Sequence, residues 1–376
     1  MDPRIDRLRG LLALGVMLGH TIDLARLSTV EPSGTLFAIA MATRPFFGFI
    51  CVVGFIVLSG YCVTRSTLKG FTLDVYVIKR VTRVYPLLVV AVLLTGLFEW
   101  IALGNPNRPP MWGLNGDGRD FRKFLAALLG FSGFKGPFGA IAPAATISLE
   151  LLYYTIWGLA MTAASGRGRR ALLIAGLAGA VLMMFGDQLR AALGWQAGFV
   201  PVTGIVVLPG WLLGAGLAVA EKPLTRAARV VPGWAIWIVF VWLFTYANDR
   251  FNLPFNVLLP PSIVFPYFTT MSGLIVAIVA SWLARPAPAP RATDIWLGEM
   301  SYPLFLMHGP AIMATQFALN AAGVHLTFVG HLALLLAAAF LAAMAAVRLV
   351  ERPVMAWRRG FRPRPEASAP ALAETA

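Results

Sequence analysis

The sequence predicts an all-α integral membrane protein, a bundle of about ten transmembrane helices with both termini in the cytoplasm. Three observations lead to this fold class: the composition, the number of long apolar runs, and the placement of the basic residues between those runs. Of the 376 residues, 58% are hydrophobic and 13% are charged, and the mean hydropathy is +0.74. Soluble domains have about a quarter of their residues charged. The chain therefore lacks the charged surface that a soluble domain exposes to water.

Ten apolar runs are long enough to cross about 30 Å of hydrocarbon. They begin near Leu8, Pro45, Val84, Pro143, Ala171, Phe199, Pro232, Ser262, Ile295 and Thr327. The longest break between runs extends from Asn105 to Ala142 and is rich in Gly and Pro. A weakly amphipathic piece within it, from Phe121 to Phe134, predicts a re-entrant or interfacial segment.

The basic residues fix the predicted orientation. The net charge is +14, but the Lys and Arg side chains lie in short breaks between apolar runs, so the charge indicates membrane topology and no nucleic-acid partner. With a cytoplasmic N-terminus, 22 of the 31 Lys and Arg fall on the cytoplasmic side and 9 on the other. This imbalance favours two cytoplasmic termini and an even number of spans.

The predicted domain organisation is simple. Residues 1–357 form one transmembrane domain, and residues 358–376, which lack apolar periodicity, form a disordered cytoplasmic tail.

The first apolar run contains a candidate general base. Arg9 and His20 are eleven positions apart, which on a helix returns to nearly the same face roughly 16 Å further along. Ionisable groups inside a span are costly and are functional candidates by default. Asp23 follows His20 by three residues, close enough to hold one imidazole nitrogen and make the other more basic. The alternative is that His20 only hydrogen-bonds a neighbouring helix.

Glu150 lies near the outer end of the fourth predicted helix, where a carboxylate needs a cation, a hydrogen-bond donor or water. In one interpretation it orients a hydroxyl or assists proton transfer. In the other it forms an ion pair that fixes helix packing, with Arg44 or a loop arginine as its partner.

Lys79, Arg80 and Arg83 fall within about one and a half turns at the cytoplasmic start of the third predicted helix. Such a cluster suits a phosphate-bearing ligand. From these residues alone, the simpler interpretation is an anchor on the positively charged side of the membrane.

The remaining histidines suggest supporting roles. His308, with Tyr302 six residues earlier, is a second imidazole inside a span, better suited to shaping a site than to acting as a base. His325 and His331 lie in or beside the last outer loop. No metal-ligand spacing links the histidines, so no metal site is predicted.

Six segments occur in this order along the chain: Arg9-Gly10 followed by His20, Phe55 to Tyr61 (FIVLSGY), Lys79-Arg80 with Arg83 and Pro86, Ser148 with Glu150 and Tyr154, Ser301-Tyr302 with Leu304, Leu306 and His308, and Glu351-Arg352-Pro353. Together they resemble the acyltransferase-3 family of bacterial multi-pass membrane O-acyltransferases. Each segment alone is weak evidence for the resemblance, whereas the presence of all six in the family's order is specific evidence. The second glutamate of the family's Glu-Glu pair is Leu151 here, and the chain resembles the stand-alone form without an esterase-like domain.

The resemblance implies an acyltransferase of the bacterial inner membrane. Its donor would be acyl-coenzyme A, usually acetyl-coenzyme A, with no permanently bound cofactor, and its acceptor a hydroxyl of a cell-surface glycan or lipid-linked sugar. The implied catalytic residues are His20, Arg9, Asp23 and Glu150. The implied substrate or coenzyme-binding residues are Lys79, Arg80, Arg83, Ser148, Tyr154, Tyr302 and His308.

Two mechanisms, one rival function and the possibility of a catalytically silent family member that acts as a sensor remain open at this point. His20 can act as a base that takes the hydroxyl proton, or as a nucleophile that forms an acyl-histidine. The rival is a polytopic transporter or exporter of a glycan or small molecule, since polar residues in helix cores and a long outer loop suit that class as well.

Overall fold

The computed structural model of the protein describes residues 2–29, 33–45, 47, 50–102, 104–109, 120–132, 138, 139, 143–162, 199–229, 233–251, 261–287 and 289–360, and every regular element in these ranges is helical. The helices are α1 (Pro3–Ser28), α2 (Thr35–Pro45), α3 (Cys51–Thr67), α4 (Leu73–Ala102), α5 (Phe121–Leu128), α6 (Pro143–Thr162), α7 (Phe199–Val219), α8 (Glu221–Ala228), α9 (Gly233–Phe251), α10 (Pro261–Leu283), α11 (Ala292–Ala321), α12 (Phe328–Ala346) and α13 (Arg352–Gly360).

The apolar helices are those of a membrane protein. Four helical segments are long and apolar enough to span a bilayer: Pro3–Ser28, Leu73–Ala102, Pro143–Thr162 and Phe328–Arg358. Four shorter apolar segments accompany them: Thr35–Arg44, Cys51–Thr67, Leu208–Val219 and Phe268–Leu283. The all-helical class is therefore confirmed for the described residues, and the count of ten spans and the cytoplasmic termini stay predictions.

Helices coincide with nine of the ten predicted apolar runs. The run from Ala171 and residues 361–376 of the predicted tail lie outside the described residues, whereas residues 358–360, predicted as disordered, end helix α13. The amphipathic piece predicted from Phe121 begins as the short helix α5. Helix α2 is an addition, because its eleven residues are too few to stand out as a separate run.

Glycines bring α1 and α11 close together. A Cβ on Gly10 would lie 2.7 Å from the carbonyl oxygen of Leu297, and a Cβ on Gly298 would lie 2.8 Å from the Cβ of Asp6. Close backbone approach through small residues is the usual way in which membrane helices associate. Helices α1 and α11 form the most extensive helix–helix contact among the described elements.

Helix α3 meets α7 in the same way. A Cβ on Gly60 would collide with the carbonyl oxygen of Trp211, and one on Gly214 with the carbonyl oxygen of Val57. Of these four helices, α1, α3 and α11 line the candidate site, and α7 packs behind α3.

Charged contacts lock the N-terminus of α1 in place. Asp2 caps the helix, accepting from the Arg4 backbone N–H at 3.0 Å, and Pro3 follows at the first helical position. The Arg4 side chain also donates to Asp2, and this hydrogen bond holds the pKa of the Asp2 carboxyl below its usual value. Arg4 Nη1 donates to the carbonyl oxygens of Trp282 and Arg285, at 2.6 and 2.7 Å. Because α1 and α11 both begin here, we call this end of the bundle the basic end.

A π-helical turn, Val347–Glu351, joins α12 to α13. Such turns are rare in proteins overall, and those that occur are often found at functional sites. Here the turn brings the Glu351 carboxylate against the Arg83 guanidinium of α4. It also directs α13 across the basic end.

Candidate active site

A cavity of about 840 Å³ lies at the basic end of the bundle. Its wall combines α1, α3, α4, α6, α11, the π-helical turn and α13. Sites for drug-sized ligands and cofactors have volumes of about 300–1,000 Å³. The cavity is therefore large enough for a substantial organic ligand.

The wall of the cavity carries a surplus of positive charge. Six basic side chains and four acidic ones lie on it: Arg9, Lys79, Arg80, Arg83, Arg352 and Arg358 against Asp6, Glu150, Glu299 and Glu351. Two ion pairs neutralise part of this set, Arg83 with Glu351 and Arg352 with Glu299. Among the described residues, no carboxylate lies within ion-pair distance of the other four cations. An anionic ligand is therefore favoured.

Aromatic rings hold two of these arginines in position. The Arg80 guanidinium lies over the rings of Tyr76 and Tyr154, at 5.4 and 5.3 Å from their centroids. Arg83 lies over the ring of Tyr302 at 5.2 Å, and Tyr302 is itself fixed by donating its hydroxyl proton to the Val84 carbonyl oxygen at 2.9 Å. Stacking orients a guanidinium and leaves its N–H groups available at the edge. The arrangement favours ligand binding over a simple interfacial anchor.

Glu150 lies on the cavity wall beside two hydroxyls. Its carboxylate interacts with the side chains of Ser59 and Tyr154, and Ser59 Oγ donates to the Tyr154 hydroxyl oxygen at 3.3 Å. The suggestion that Glu150 pairs with Arg44 is wrong, because Arg44 pairs with Asp23. The expected place near the outer end is also wrong, since Glu150 shares the cavity of the basic end with Lys79.

Ser148 lies outside the cavity wall. Its side chain is 1% exposed, and Oγ donates to the Ala144 carbonyl oxygen at 3.1 Å. A serine hydroxyl that bonds the carbonyl four residues earlier is satisfied within its own helix. The position of Ser148 therefore gives no support to ligand binding.

His20 meets His308 rather than Asp23. His20 Nδ1 lies 2.7 Å from His308 Nε2, and His308 Nδ1 lies 2.8 Å from the Leu304 carbonyl oxygen. The ring centroids are 5.0 Å apart with planes tilted by 37°, which fits two rings meeting at their nitrogen edges rather than face to face. The two imidazoles form one hydrogen-bonded unit, which we call the histidine pair.

The prediction that Asp23 hydrogen-bonds His20 and orients it is wrong for the Nδ1 atom of His20, because the hydrogen-bond partner of that atom is His308. Asp23 forms an ion pair with Arg44 of α2, and no hydrogen bond between Asp23 and His20 occurs among the described residues. A full opposite charge on a neighbouring helix attracts the carboxylate more strongly than a neutral ring does. Asp23 therefore links α1 to α2.

One helical turn separates the histidine pair from the cavity. Neither His20 nor His308 lines the cavity, but Phe305 does, and it precedes His308 on α11 by three residues, a rise of about 4.5 Å. The Phe305 ring lies beside that of Phe55, with centroids 5.3 Å apart. Phe305 is thus the wall residue of α11 closest to His308 along the helix, and Phe55 of α3 lies against it. On the α1 side, Arg9 lines the cavity and lies three turns from His20.

Six polar or charged residues on the cavity wall were given no role from the sequence: Asp6, Ser59, Glu299, Glu351, Arg352 and Arg358. The matching segments around Ser59 and Glu351 were visible, but nothing in them shows which side chains face the cavity. Arg358 had no signal at all, because a cation in the chain after the last apolar run is indistinguishable from a positive-side anchor.

No group of three or more His, Cys, Asp or Glu side chains suited to a metal ion occurs in the part of the chain that the structure describes.

A family model described as an acyltransferase domain matches residues 2–348 of the chain. No curated protein and no solved structure gave a match.

Proposed function

The chain belongs to the acyltransferase-3 family, a family of membrane acyltransferases, and we propose that it transfers an acyl group, acetyl in the first instance, from acyl-coenzyme A to a hydroxyl of a cell-surface glycan or glycolipid. The proposed location is the bacterial inner membrane, with the basic end facing the cytoplasm. The observation that carries the proposal is the cavity with a surplus of cations, which ends one turn from a pair of imidazoles.

The cavity supports a donor that bears phosphates. In the proposal, the coenzyme phosphates contact Arg80, Lys79, Arg9 and Arg358, the four cations without an ion-pair partner among the described residues. Arginine binds phosphate in a planar, two-pronged geometry, and the contacts of Arg80 with the Tyr76 and Tyr154 rings orient its guanidinium in advance. Arg83 neutralises Glu351 and so keeps that carboxylate from repelling the ligand.

The thioester end of the donor must then reach the histidine pair. The pantetheine arm extends along the apolar wall toward Phe55 and Phe305, and the acyl group passes them to reach His20. His20 takes the proton of the acceptor hydroxyl as its oxygen attacks the thioester carbonyl. The carbon–sulfur bond breaks, and the coenzyme thiolate takes the proton from His20. A positioned base contributes roughly 10²–10⁴-fold to such a step.

A histidine can also accept the acyl group itself. In that relay an imidazole nitrogen attacks the thioester carbonyl, the carbon–sulfur bond breaks and the coenzyme leaves as a thiolate. The acceptor oxygen then attacks the acyl carbon, the carbon–nitrogen bond breaks, and the hydroxyl proton neutralises the thiolate. A rapid mix of protein and acyl-coenzyme A without acceptor separates the two routes, because only the relay releases one equivalent of thiol per protein.

The test compares His20→Ala with His325→Ala in a strain that lacks other acyltransferases of this family. His325 is an exposed histidine and is the matched control. We expect O-acylation of surface glycans, measured by mass spectrometry, to be lost in His20→Ala and kept in His325→Ala, with equal amounts of protein in the membrane. Full O-acylation with His20→Ala would overturn the assignment of His20.

Donor binding is tested separately with purified protein in nanodiscs and radiolabelled acetyl-coenzyme A. We expect saturable binding that non-acylated coenzyme A displaces. Absence of binding, together with export of unmodified glycan that depends on the chain, would instead support the transporter.

A further inference from the structure

We propose that His308 is a positioning residue that fixes the tautomer of His20, so that the proton of neutral His20 lies on Nδ1 and its lone pair on Nε2. The assignment follows from two hydrogen bonds and from the complete burial of His308. Its consequence for catalysis rests on the proposed function.

The first step concerns His308 Nδ1. It lies 2.8 Å from the carbonyl oxygen of Leu304, four residues earlier on α11. A carbonyl oxygen has no proton to give, so the hydrogen bond requires a proton on His308 Nδ1.

The second step concerns the charge of His308. Its side chain is 0% exposed, and its described partners are the Leu304 carbonyl oxygen and His20, with no carboxylate among them. Burying an unpaired cation is far more costly than burying a neutral ring. His308 is therefore neutral, and with Nδ1 protonated its Nε2 carries a lone pair.

The third step concerns His20. A contact of 2.7 Å between two ring nitrogens needs one donor and one acceptor. Because His308 Nε2 is the acceptor, His20 Nδ1 is the donor. A neutral His20 with a proton on Nδ1 has its lone pair on Nε2, the nitrogen that then serves as the base.

The chain of bonds also explains how charge is accommodated during transfer. When Nε2 of His20 takes the proton of the acceptor hydroxyl, the imidazolium keeps its Nδ1–H bond to His308 Nε2. The hydrogen bond then runs from a cation to a neutral acceptor and is stronger for it. No proton needs to leave His308, whose own N–H remains on the Leu304 carbonyl oxygen.

The test is a tautomer measurement on the full chain in nanodiscs, labelled with ¹⁵N-histidine. The chain has four histidines, and a ¹⁵N–¹⁵N correlation across the short hydrogen bond identifies the two rings of the pair. In magic-angle-spinning spectra we expect His20 and His308 both to show the neutral pattern with a proton on Nδ1. A proton on Nε2 of resting His20, or a charged His308, would overturn the inference, and this spectrum needs no variant.

Two substitutions then link the tautomer to turnover. The amide oxygen of His308→Gln takes roughly the place of Nε2 and accepts from His20 Nδ1, whereas His308→Leu offers no acceptor. We expect His308→Gln to keep the Nδ1–H form of His20 and kcat within roughly threefold. We expect His308→Leu to lose that form and about 10²-fold or more in kcat, with KM for acetyl-coenzyme A unchanged.

The outcomes separate this inference from the proposed function. If the spectra show the expected tautomers but His20→Ala retains full transfer, the proposed function fails and the positioning by His308 stands. If His308→Leu leaves the His20 tautomer unchanged in a folded protein, the positioning role fails whatever the activity.

Discussion

Phe55 of α3 and Phe305 of α11 lie on the cavity wall with ring centroids 5.3 Å apart, and Phe305 is one helical turn from His308. In the proposed reaction the acyl group passes these rings. Their size then sets which acyl groups reach His20.

Replacement of Phe305 by Leu should relax the selection of the acyl group. We expect the ratio of kcat/KM for butyryl-coenzyme A to that for acetyl-coenzyme A to rise roughly 10-fold, the effect of one or two methylene groups in an apolar pocket. The matched control is Phe317→Leu on the same helix, whose ring meets Phe98 elsewhere in the core. An unchanged ratio in a folded Phe305→Leu protein would mean that the acyl group takes another path.

Loss of the Arg80 charge should weaken donor binding. One charge-assisted hydrogen bond contributes about 1.5–3 kcal/mol, so we expect Arg80→Gln to raise Kd for coenzyme A by about 10-fold or more. The control is Arg226→Gln, at an exposed position in α8 outside the cavity wall. Equilibrium binding in nanodiscs measures both variants. Equal affinities of the two would remove Arg80 from the phosphate site.

The Arg83–Glu351 pair should show energetic coupling. The two side chains are 20% and 13% exposed, so either single change leaves a largely buried charge without its partner. We expect Arg83→Gln and Glu351→Gln each to lower the unfolding temperature in detergent, and the double variant to be more stable than the sum of the single losses implies. Strict additivity would show that the contact contributes nothing.

Asp23 should matter for stability and little for turnover. Because Asp23 pairs with Arg44, we expect Asp23→Asn and Arg44→Gln to lower the unfolding temperature by similar amounts, with the double variant losing little more than either. The kcat of Asp23→Asn should stay within roughly threefold, against the 10²–10⁴-fold that a lost base costs. A collapse of kcat in a stable Asp23→Asn protein would restore Asp23 as the group that orients His20.

The contact between α1 and α11 should tolerate no added carbon at Gly10. A Cβ there would lie 2.7 Å from the Leu297 carbonyl oxygen, whereas one at Gly216 of α7 meets nothing within 4 Å. We expect Gly10→Ala to lower the unfolding temperature and Gly216→Ala to leave it unchanged or raise it slightly. Thermal unfolding followed by tryptophan fluorescence distinguishes the two, and equal stability would contradict the close approach.

The sequence was sufficient to predict nine of the described helices, because span length and hydropathy are local properties of the chain. It also grouped Lys79, Arg80 and Arg83 on one helix, although they lie inside α4, which begins at Leu73, and the structure brings all three to the same cavity. Helix α2 was not predicted, because its 11 residues are fewer than a membrane span needs.

Side-chain contacts between residues of different helices could not be predicted from the local sequence. Asp23 is three residues from His20, and proximity along the chain suggested a hydrogen bond between them. The contact that exists joins His20 to a residue 288 positions away. The same limit applies to Glu150, whose depth in the bundle depends on how α6 is placed against α3. Only the assembled bundle shows which polar groups share one space.

The separation of His20 from His308 also has a consequence for biosynthesis. At 5–20 residues per second, roughly 15–60 s pass between synthesis of the first helix and emergence of its partner. During that interval α1 resides in the bilayer without the neighbour that accepts its imidazole proton. Chains interrupted before α11 therefore insert their first spans yet never acquire a competent histidine pair.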